Sequence, residues 1–212
     1  PDSTEAALSL ITQAEVFAGA GRLQEALRAA EQARPAIERR FGPETREGQR
    51  LTRIRAFLLR QQGESDKALA LVQETTEAIR RRFGPESIET ARQLSDLAGV
   101  LGDLSRYAEA ERATRQALAI FEASPAASPF ERAHAPRMLS DLLEITGRDQ
   151  EALPHQAAAL DLLRATLRPD HVEVAFTLIN HGFLLHELRR YAEAEAALRE
   201  AIRILQPLDH YE

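Results

Sequence analysis

Apolar and small residues recur along the chain at the three- and four-residue spacing of an amphipathic helix, and the whole pattern repeats every 42 residues. Each repeat predicts two helices with a short break between them, which in the first repeat span residues 4–20 and 22–40. One second-helix position is alanine in every repeat: Ala26, Ala68, Ala110, Ala152 and Ala194. Self-similarity at this period is typical of stacked repeats, because a single unit cannot bury its own apolar face. The sequence therefore predicts an all-α fold of five helix-turn-helix repeats with ten antiparallel helices: 1–42, 43–84, 85–126, 127–168 and 169–210.

Two further columns predict close contact between the helices. In the first helix a small residue precedes a large apolar residue by three positions, as at Ala14 and Phe17. In the second helix the interval is four, as at Ala33 and Ile37. Small residues let two backbones approach, and the large residues fill the adjoining layer. The Gly and Pro breaks in the pattern argue against one long coiled coil.

Turn residues also recur at fixed places. The turn within a repeat is expected to need a positive φ, and three repeats have glycine there: Gly21, Gly63 and Gly147. Ser105 and Arg189 take that place in the third and fifth repeats. Gly42 and Gly84, each followed by proline, are expected to end second helices in a left-handed conformation.

The start of every first helix carries a glutamate: Glu5, Glu47, Glu89, Glu131 and Glu173. An acidic column raises the question of a metal or catalytic site, but a carboxylate in the first turn is better explained by the positive end of the helix dipole. Ser128 and Asp170 precede two of these glutamates by three residues, which is capping-box spacing. Pro136 falls inside the predicted seventh helix and is expected to kink it or delay its start.

The repeat resembles a known family. The small-x-x-large pattern of the first helix and the Tyr-x-Glu-Ala opening of the second, at 107–110 and 191–194, resemble the tetratricopeptide repeat. The 42-residue length and the Phe-Gly-Pro-Glu and Arg-Pro-Asp-His connectors resemble its kinesin-light-chain-like variety. HEAT-type repeats, of similar length, are the structural alternative. The resemblance implies one right-handed superhelical solenoid over 1–212, with first helices lining a concave groove that binds a protein or peptide.

Composition points away from catalysis. The chain has no cysteine, and its six histidines form no spaced metal motif. No glycine-rich phosphate loop or nucleophile elbow occurs, so we expect no enzymatic activity, no metal and no cofactor. The net charge of −6 argues against a nucleic-acid partner. No apolar run is long enough for a membrane span and no signal peptide is visible, so we expect a cytoplasmic protein without a membrane partner.

The beginning of the chain suggests a larger context. It opens at Pro1 without methionine and in phase with the repeat, so we interpret it as a segment of a longer protein. Similar arrays commonly accompany an effector domain, which the segment would then regulate.

One row of residues is expected to face the groove. Arg50, Arg53, Phe57 and Arg60 share one face of the predicted third helix. The candidate peptide-binding residues of later repeats are Arg92, His134, Arg137, Phe176, Ile179, Asn180 and Phe183. Arginine forks bind carboxylates and phenylalanines hold apolar side chains, so a partner segment with an acidic residue beside a hydrophobic one is expected. The alternative is a solvated arginine face paired with Asp96, Asp141 and Glu144.

A second functional hypothesis is a structural module that self-associates through its ends. Terminal repeats usually need a polar cap, and no further helical pattern follows residues 206–208. Phe183, Leu198 and Leu205 are therefore expected to be partly uncovered.

Overall fold

The computed structural model describes residues 3–206, which form ten α-helices and no strand. The helices are α1 (Thr4–Gly19), α2 (Leu23–Arg40), α3 (Arg46–Gln61), α4 (Ser65–Phe83), α5 (Ile88–Asp103), α6 (Tyr107–Ala123), α7 (Pro129–Ile145), α8 (Asp149–Thr166), α9 (Val172–Glu187) and α10 (Tyr191–Leu205). Each repeat holds one odd-numbered first helix and one even-numbered second helix. The two helices predicted for the first repeat are confirmed to within one residue at each end. Residues 207–210 of the fifth repeat, with His210, lie outside the described residues.

The helices fall into two compact units, with the boundary between Ala113 and Thr114. In the first unit, α2 packs against α1 and α3, and α4 packs against α3 and α5. The first helices of this unit also meet in order, α1 with α3 and α3 with α5. In the second unit, α8 packs against α7 and α9, and α10 against α9. A single solenoid over 1–212 stays a prediction.

The alanine column lies in the core, as expected. Its first four members have no exposed surface and Ala194 has almost none. The small column of the first helices is buried in every repeat, and in the fifth repeat it is Gly182. A Cβ atom at Gly182 would lie 2.7 Å from Cγ of Leu198, so the Leu198 side chain in α10 occupies the space that a side chain at this position of α9 would need.

Positive φ angles occur in the turn within every repeat. The three glycines have φ between 71° and 78°, and Ser105 and Arg189 have φ of 58° and 59°. Gly84 also has a positive φ, of 94°, at the end of α4. The same prediction for Gly42 is wrong: α2 ends at Arg40, and its C-cap residue Phe41 is already extended, which turns the chain away from the helix before Gly42.

The helix starts confirm one of the two predicted capping boxes. Ser128 and Glu131 cap each other's backbone amides at the start of α7. The box at Asp170 is wrong: His171 caps α9, and its Nδ1 accepts from the Glu173 amide at 3.1 Å. The Asp170 carboxylate pairs instead with Arg168. The delayed start expected from Pro136 is also wrong, because α7 begins at Pro129 and runs past it.

The sixth residue of a repeat contacts the connector, which is the segment between the preceding second helix and the first helix of that repeat. Gly48 has no side chain, and the Gly42 carbonyl and the Pro43 backbone occupy the space that a Cβ atom would need. The Thr90 hydroxyl donates to the Gly84 carbonyl at 2.8 Å. Arg132 Nη2 donates to the Ser124 carbonyl, also at 2.8 Å. At this one position of the repeat, Thr90 and Arg132 thus donate to a connector carbonyl, whereas Gly48 leaves room for the connector backbone.

Candidate peptide-binding surfaces

Ion pairs join the first helices of the first unit. Arg50 in α3 donates through Nε to Glu15 Oε1 in α1 at 2.8 Å, and through Nη2 to the second oxygen of Glu15 and to Thr12. Arg53 Nε lies 3.5 Å from Asp96 Oδ2 in α5. Arg60 pairs with Asp103 at the C-terminal ends of the same two helices. The face of α3 predicted to be rich in arginine is therefore linked to carboxylates on both neighbouring first helices.

An open cleft of about 760 Å³ lies over this row. Its lining comes from α1, α3, α4, α5 and the α2–α3 connector, and consists of Glu15, Glu44, Thr45, Arg46, Gln49, Arg50, Arg53, Phe83, Glu89 and Arg92. Four arginines face three glutamates, so the lining carries a small positive excess although the whole chain is acidic. We call this feature the first-unit cleft.

The carboxylates near the first-unit cleft differ in their electrostatics. The hydrogen bond from Arg50 lowers the pKa of Glu15, against an opposing effect of burial. Burial raises the pKa of Asp96, and Arg53 opposes that rise only in part. The Glu15 carboxylate is therefore ionised at neutral pH and pairs strongly with Arg50, whereas the ion pair between Asp96 and Arg53 is the weaker of the two.

The first-unit cleft brings together three of the predicted site residues: Arg50, Arg53 and Arg92. Phe57 is half-buried against the core of the unit and Arg60 is paired with Asp103, so neither lines it. Asp96, which pairs with Arg53, is one of the three carboxylates that the solvated-face alternative named. Phe83 was not predicted as a site residue; it is 44% exposed and supplies the aromatic surface of the cleft. The sequence did contain a signal for Phe83, because Phe83, like Phe41 one repeat earlier, directly precedes a Gly-Pro pair.

The second unit presents an apolar row on α9 instead of arginines. Val172, Phe176, Ile179 and Phe183 follow at helical spacing on one face. Phe176 and Phe183 are 55% and 58% exposed, while Ile179 packs partly against the core and Asn180 is half-buried. Exposed aromatic residues in a row mark an interaction surface more often than isolated ones do.

The predicted residues of α7 lie in a tight setting that mixes apolar and polar side chains. His134 stacks on Phe130 with ring centroids 5.7 Å apart, and burial together with Arg137 lowers its pKa, so the imidazole is neutral at pH 7. Phe130, His134, Arg137 and Glu173 line a narrow crevice with no room for a ligand. Burial raises the pKa of Asp141, and Arg137 opposes this rise.

Metal binding and membrane crossing are two further properties that the described residues bear on. No group of three or more histidine and carboxylate side chains among residues 3–206 is placed to bind a metal ion. None of the ten helices combines the length and apolar character that crossing a membrane requires. Arginine forks beside an aromatic ring can bind a carboxylate and an apolar side chain together.

The family comparison agrees with the repeat. The profile described as "Tetratricopeptide repeat" matches residues 50–123 and 131–206, which together are more than half of the chain. No curated protein matches the sequence.

Solved structures are similar over nearly the whole chain. Nearly identical TPR-like repeats of a Podosopora anserina protein described as a kinesin light chain are 19% identical, with a TM-score of 0.74 and 95% of each chain covered. BtubC (BKLC) from P. vanneervenii is 21% identical, with a TM-score of 0.75, 94% of this chain covered and 79% of that one. The apo form of RapI is 15% identical with a TM-score of 0.72; 93% of this chain matches about half of it, 53%. At these identities the likeness shows the fold, which is that of kinesin-light-chain-like repeats.

Proposed function

Because the chain belongs to the tetratricopeptide repeat family, we propose that it is a protein-interaction module that holds a partner segment in the first-unit cleft. The carrying observation is that Arg46, Arg53 and Arg92 lie around the same open space as the exposed ring of Phe83. A segment with an acidic residue beside a hydrophobic one matches this combination.

The arginines of the first-unit cleft have different parts in this proposal. Arg50 has both carboxylate oxygens of Glu15 as acceptors, so it acts as a positioning residue that links α1 to α3. Arg53 is 55% exposed and reaches Asp96 only at 3.5 Å, so its outer nitrogens are available to a ligand carboxylate. Arg46 is exposed and forms no ion pair within residues 3–206. Arg46 and Arg53 are therefore the proposed carboxylate-binding pair.

The row on α9 is proposed as a second contact for the same class of partner. Phe176 and Phe183 present exposed rings in a row with Ile179, so this surface is suited to apolar side chains. The module acts by binding and not by catalysis, in the cytoplasm and on protein partners. Control of a fused effector domain is part of the proposal.

The test is a fluorescence titration with acidic–apolar peptides selected from a display library. Arg46→Ala/Arg53→Ala should weaken binding at least tenfold, which corresponds to about 1.4 kcal/mol. Added salt should also weaken it, because the charges are partly exposed. Arg81→Ala/Arg82→Ala removes two exposed arginines outside the cleft and should leave affinity unchanged. Binding that ignores both the cleft variant and salt would refute the proposed site.

The exposure of Ile202 favours a second candidate function, a structural scaffold whose copies associate through their end repeats. Concentration-dependent association in sedimentation, without any peptide, would support this scaffold function. A constant monomer mass would exclude it.

A further inference from the structure

A second pocket of the first unit lies between α2, α3 and α4 and has a volume of about 190 Å³. Its apolar lining includes Ile37 and Leu51, which are buried, and Phe41 and Leu71, which are half-buried. We call this feature the α2–α4 pocket. Among the described residues it shares no lining residue with the first-unit cleft, so the two are separate surfaces.

The charges around the α2–α4 pocket leave one carboxylate without a partner. Glu38 in α2 and Glu74 in α4 both line the pocket and are exposed. Arg55 lines it too, but its Nε lies 3.4 Å from Glu31 Oε1 and its Nη1 lies 3.3 Å from Glu38 Oε1. Arg34 also pairs with Glu31, at 2.8 Å. Glu74, in contrast, forms no ion pair within residues 3–206. Three carboxylates against two guanidinium groups leave an excess of one negative charge here.

Two buried hydroxyl groups add a further hydrogen-bond acceptor to the pocket. Thr75 donates its hydroxyl hydrogen to the Leu71 carbonyl at 2.9 Å. Because a hydroxyl has one hydrogen, Thr52 is the donor in its 3.2 Å contact with Thr75. The Thr52 oxygen, in a residue that is 7% exposed, therefore remains an acceptor in the lining of the pocket. Together with the two glutamates, this acceptor suits a cationic donor better than an anion.

The second unit shows how a guanidinium group binds at the corresponding positions. Glu74 and Glu200 both occupy the 32nd position of their repeats, and Glu38 and Arg164 both occupy the 38th position of the preceding ones. Arg164 Nη2 donates to Glu200 Oε2 at 2.7 Å, which joins α8 to α10. In the first unit a glutamate stands where the second unit has this arginine. The same two positions of the repeat therefore present two carboxylates in the α2–α4 pocket.

We propose that the α2–α4 pocket binds an arginine side chain that a partner protein presents. The guanidinium group lies between Glu74 and Glu38, and the aliphatic part of the side chain packs on Leu71 and Phe41. Arginine fits better than lysine because its planar fork donates to two acceptors at once.

The size of the pocket favours a single side chain of a protein over a free small molecule. Its volume of about 190 Å³ is below the range of small-molecule pockets, which begins at about 300 Å³. The charge preference is opposite to that of the first-unit cleft, so this proposal is independent of peptide binding there.

The test is an NMR titration of the methyl-labelled chain with N-acetyl-arginine N-methylamide, which mimics an arginine within a protein. The methyl signals of Leu51 and Leu71 should shift and saturate. The matching lysine amide should bind more weakly, and the glutamate amide should not bind.

Three variants locate the binding site. Glu74→Gln should weaken binding about fivefold, because the ion pair with the ligand is partly exposed. Glu38→Arg places a guanidinium group opposite Glu74, as Arg164 is placed opposite Glu200, and should abolish binding. Glu77→Gln, at an exposed residue of α4 outside the pocket, is the control and should bind normally. All three substituted residues are exposed, and thermal unfolding checks that each variant stays folded.

Four outcomes would overturn the proposal. The arginine amide could cause no saturable shift, or it could bind Glu74→Gln as tightly as the unaltered chain. Preferred binding of the glutamate amide would make Arg55 the binding group of an anion site. Tighter binding of free arginine than of the amide would indicate a small-molecule ligand. Arg46→Ala/Arg53→Ala should bind the arginine amide normally, so failure of this proposal and failure of the first-unit cleft are separately measurable.

Discussion

The guanidinium of Arg50 in α3 donates hydrogen bonds to both carboxylate oxygens of Glu15 in α1, although the two residues lie 35 positions apart in the sequence. This ion pair ties together two consecutive first helices on the floor of the first-unit cleft. Its strength depends on the ionised form of Glu15, and it therefore makes stability depend on pH.

Glu15→Gln should lower the free energy of unfolding at neutral pH by at most about 1 kcal/mol, since the pair is partly exposed. The pKa of Glu15 is lowered in the folded state, so the stabilisation is present above the unfolded value of 4.5 and is lost as pH falls through the folded pKa. Urea unfolding of both proteins across this range should show curves that converge in acid. A difference that stays constant with pH would contradict the ion-pair account.

Asp141→Asn should change the free energy of unfolding in the opposite direction to Glu15→Gln. Burial raises the pKa of Asp141 in the folded state, so its ionised form destabilises the fold above that pKa. We expect the asparagine variant to unfold at a higher denaturant concentration at neutral pH, and the gain to disappear as pH falls below the unfolded value of 3.8. Asp161→Asn, at an exposed site of the same unit, is the control and should change little.

Gly182→Ala should destabilise the fifth repeat despite the better helix propensity of alanine. The propensity gain is up to about 1 kcal/mol, whereas overpacking against Leu198 costs about 1–3 kcal/mol. In a Leu198→Ala background the obstruction is gone, so the same substitution should become stabilising. Thermal unfolding of the four proteins of this cycle measures the change of sign. Equal effects in both backgrounds would mean that α9 and α10 are less closely packed.

Ser105→Gly should stabilise the protein, because Ser105 has a φ of 58° and a left-handed conformation costs a side-chain-bearing residue about 1 kcal/mol. Part of that gain is offset by the greater chain entropy of glycine when unfolded. The matched reverse change is Gly63→Ser in the equivalent turn, which should destabilise by a similar amount. If the denaturant midpoints of the two variants shifted in the same direction, the positive φ of this turn would not be the cause of the changes in stability.

The helices and their register were predictable because five copies of one pattern average out local exceptions. The predictions for Gly42 and Asp170 were wrong because a neighbouring residue has the predicted role. Phe41 turns the chain at the end of α2, and His171 caps the start of α9. The site was harder to predict than the fold. Arg50 and Arg53 were identified from one face of the third helix, and Arg92 from the equivalent position of the next repeat. Glu15 and Asp103 come from other repeats, where nothing in the sequence singles them out.

The way connectors are held has a consequence for the exchange of repeats. Thr90 and Arg132 each donate to the connector that precedes their own helix, and Gly48 leaves room for its connector, so the residues that shape a joint stand on both sides of the 42-residue boundary. If a repeat were transferred to another protein with its boundary placed after residue 42 or 84, a connector would be separated from the residue that contacts it. The transferable segment instead runs from the middle of one first helix to the middle of the next, which keeps every joint with its own anchor.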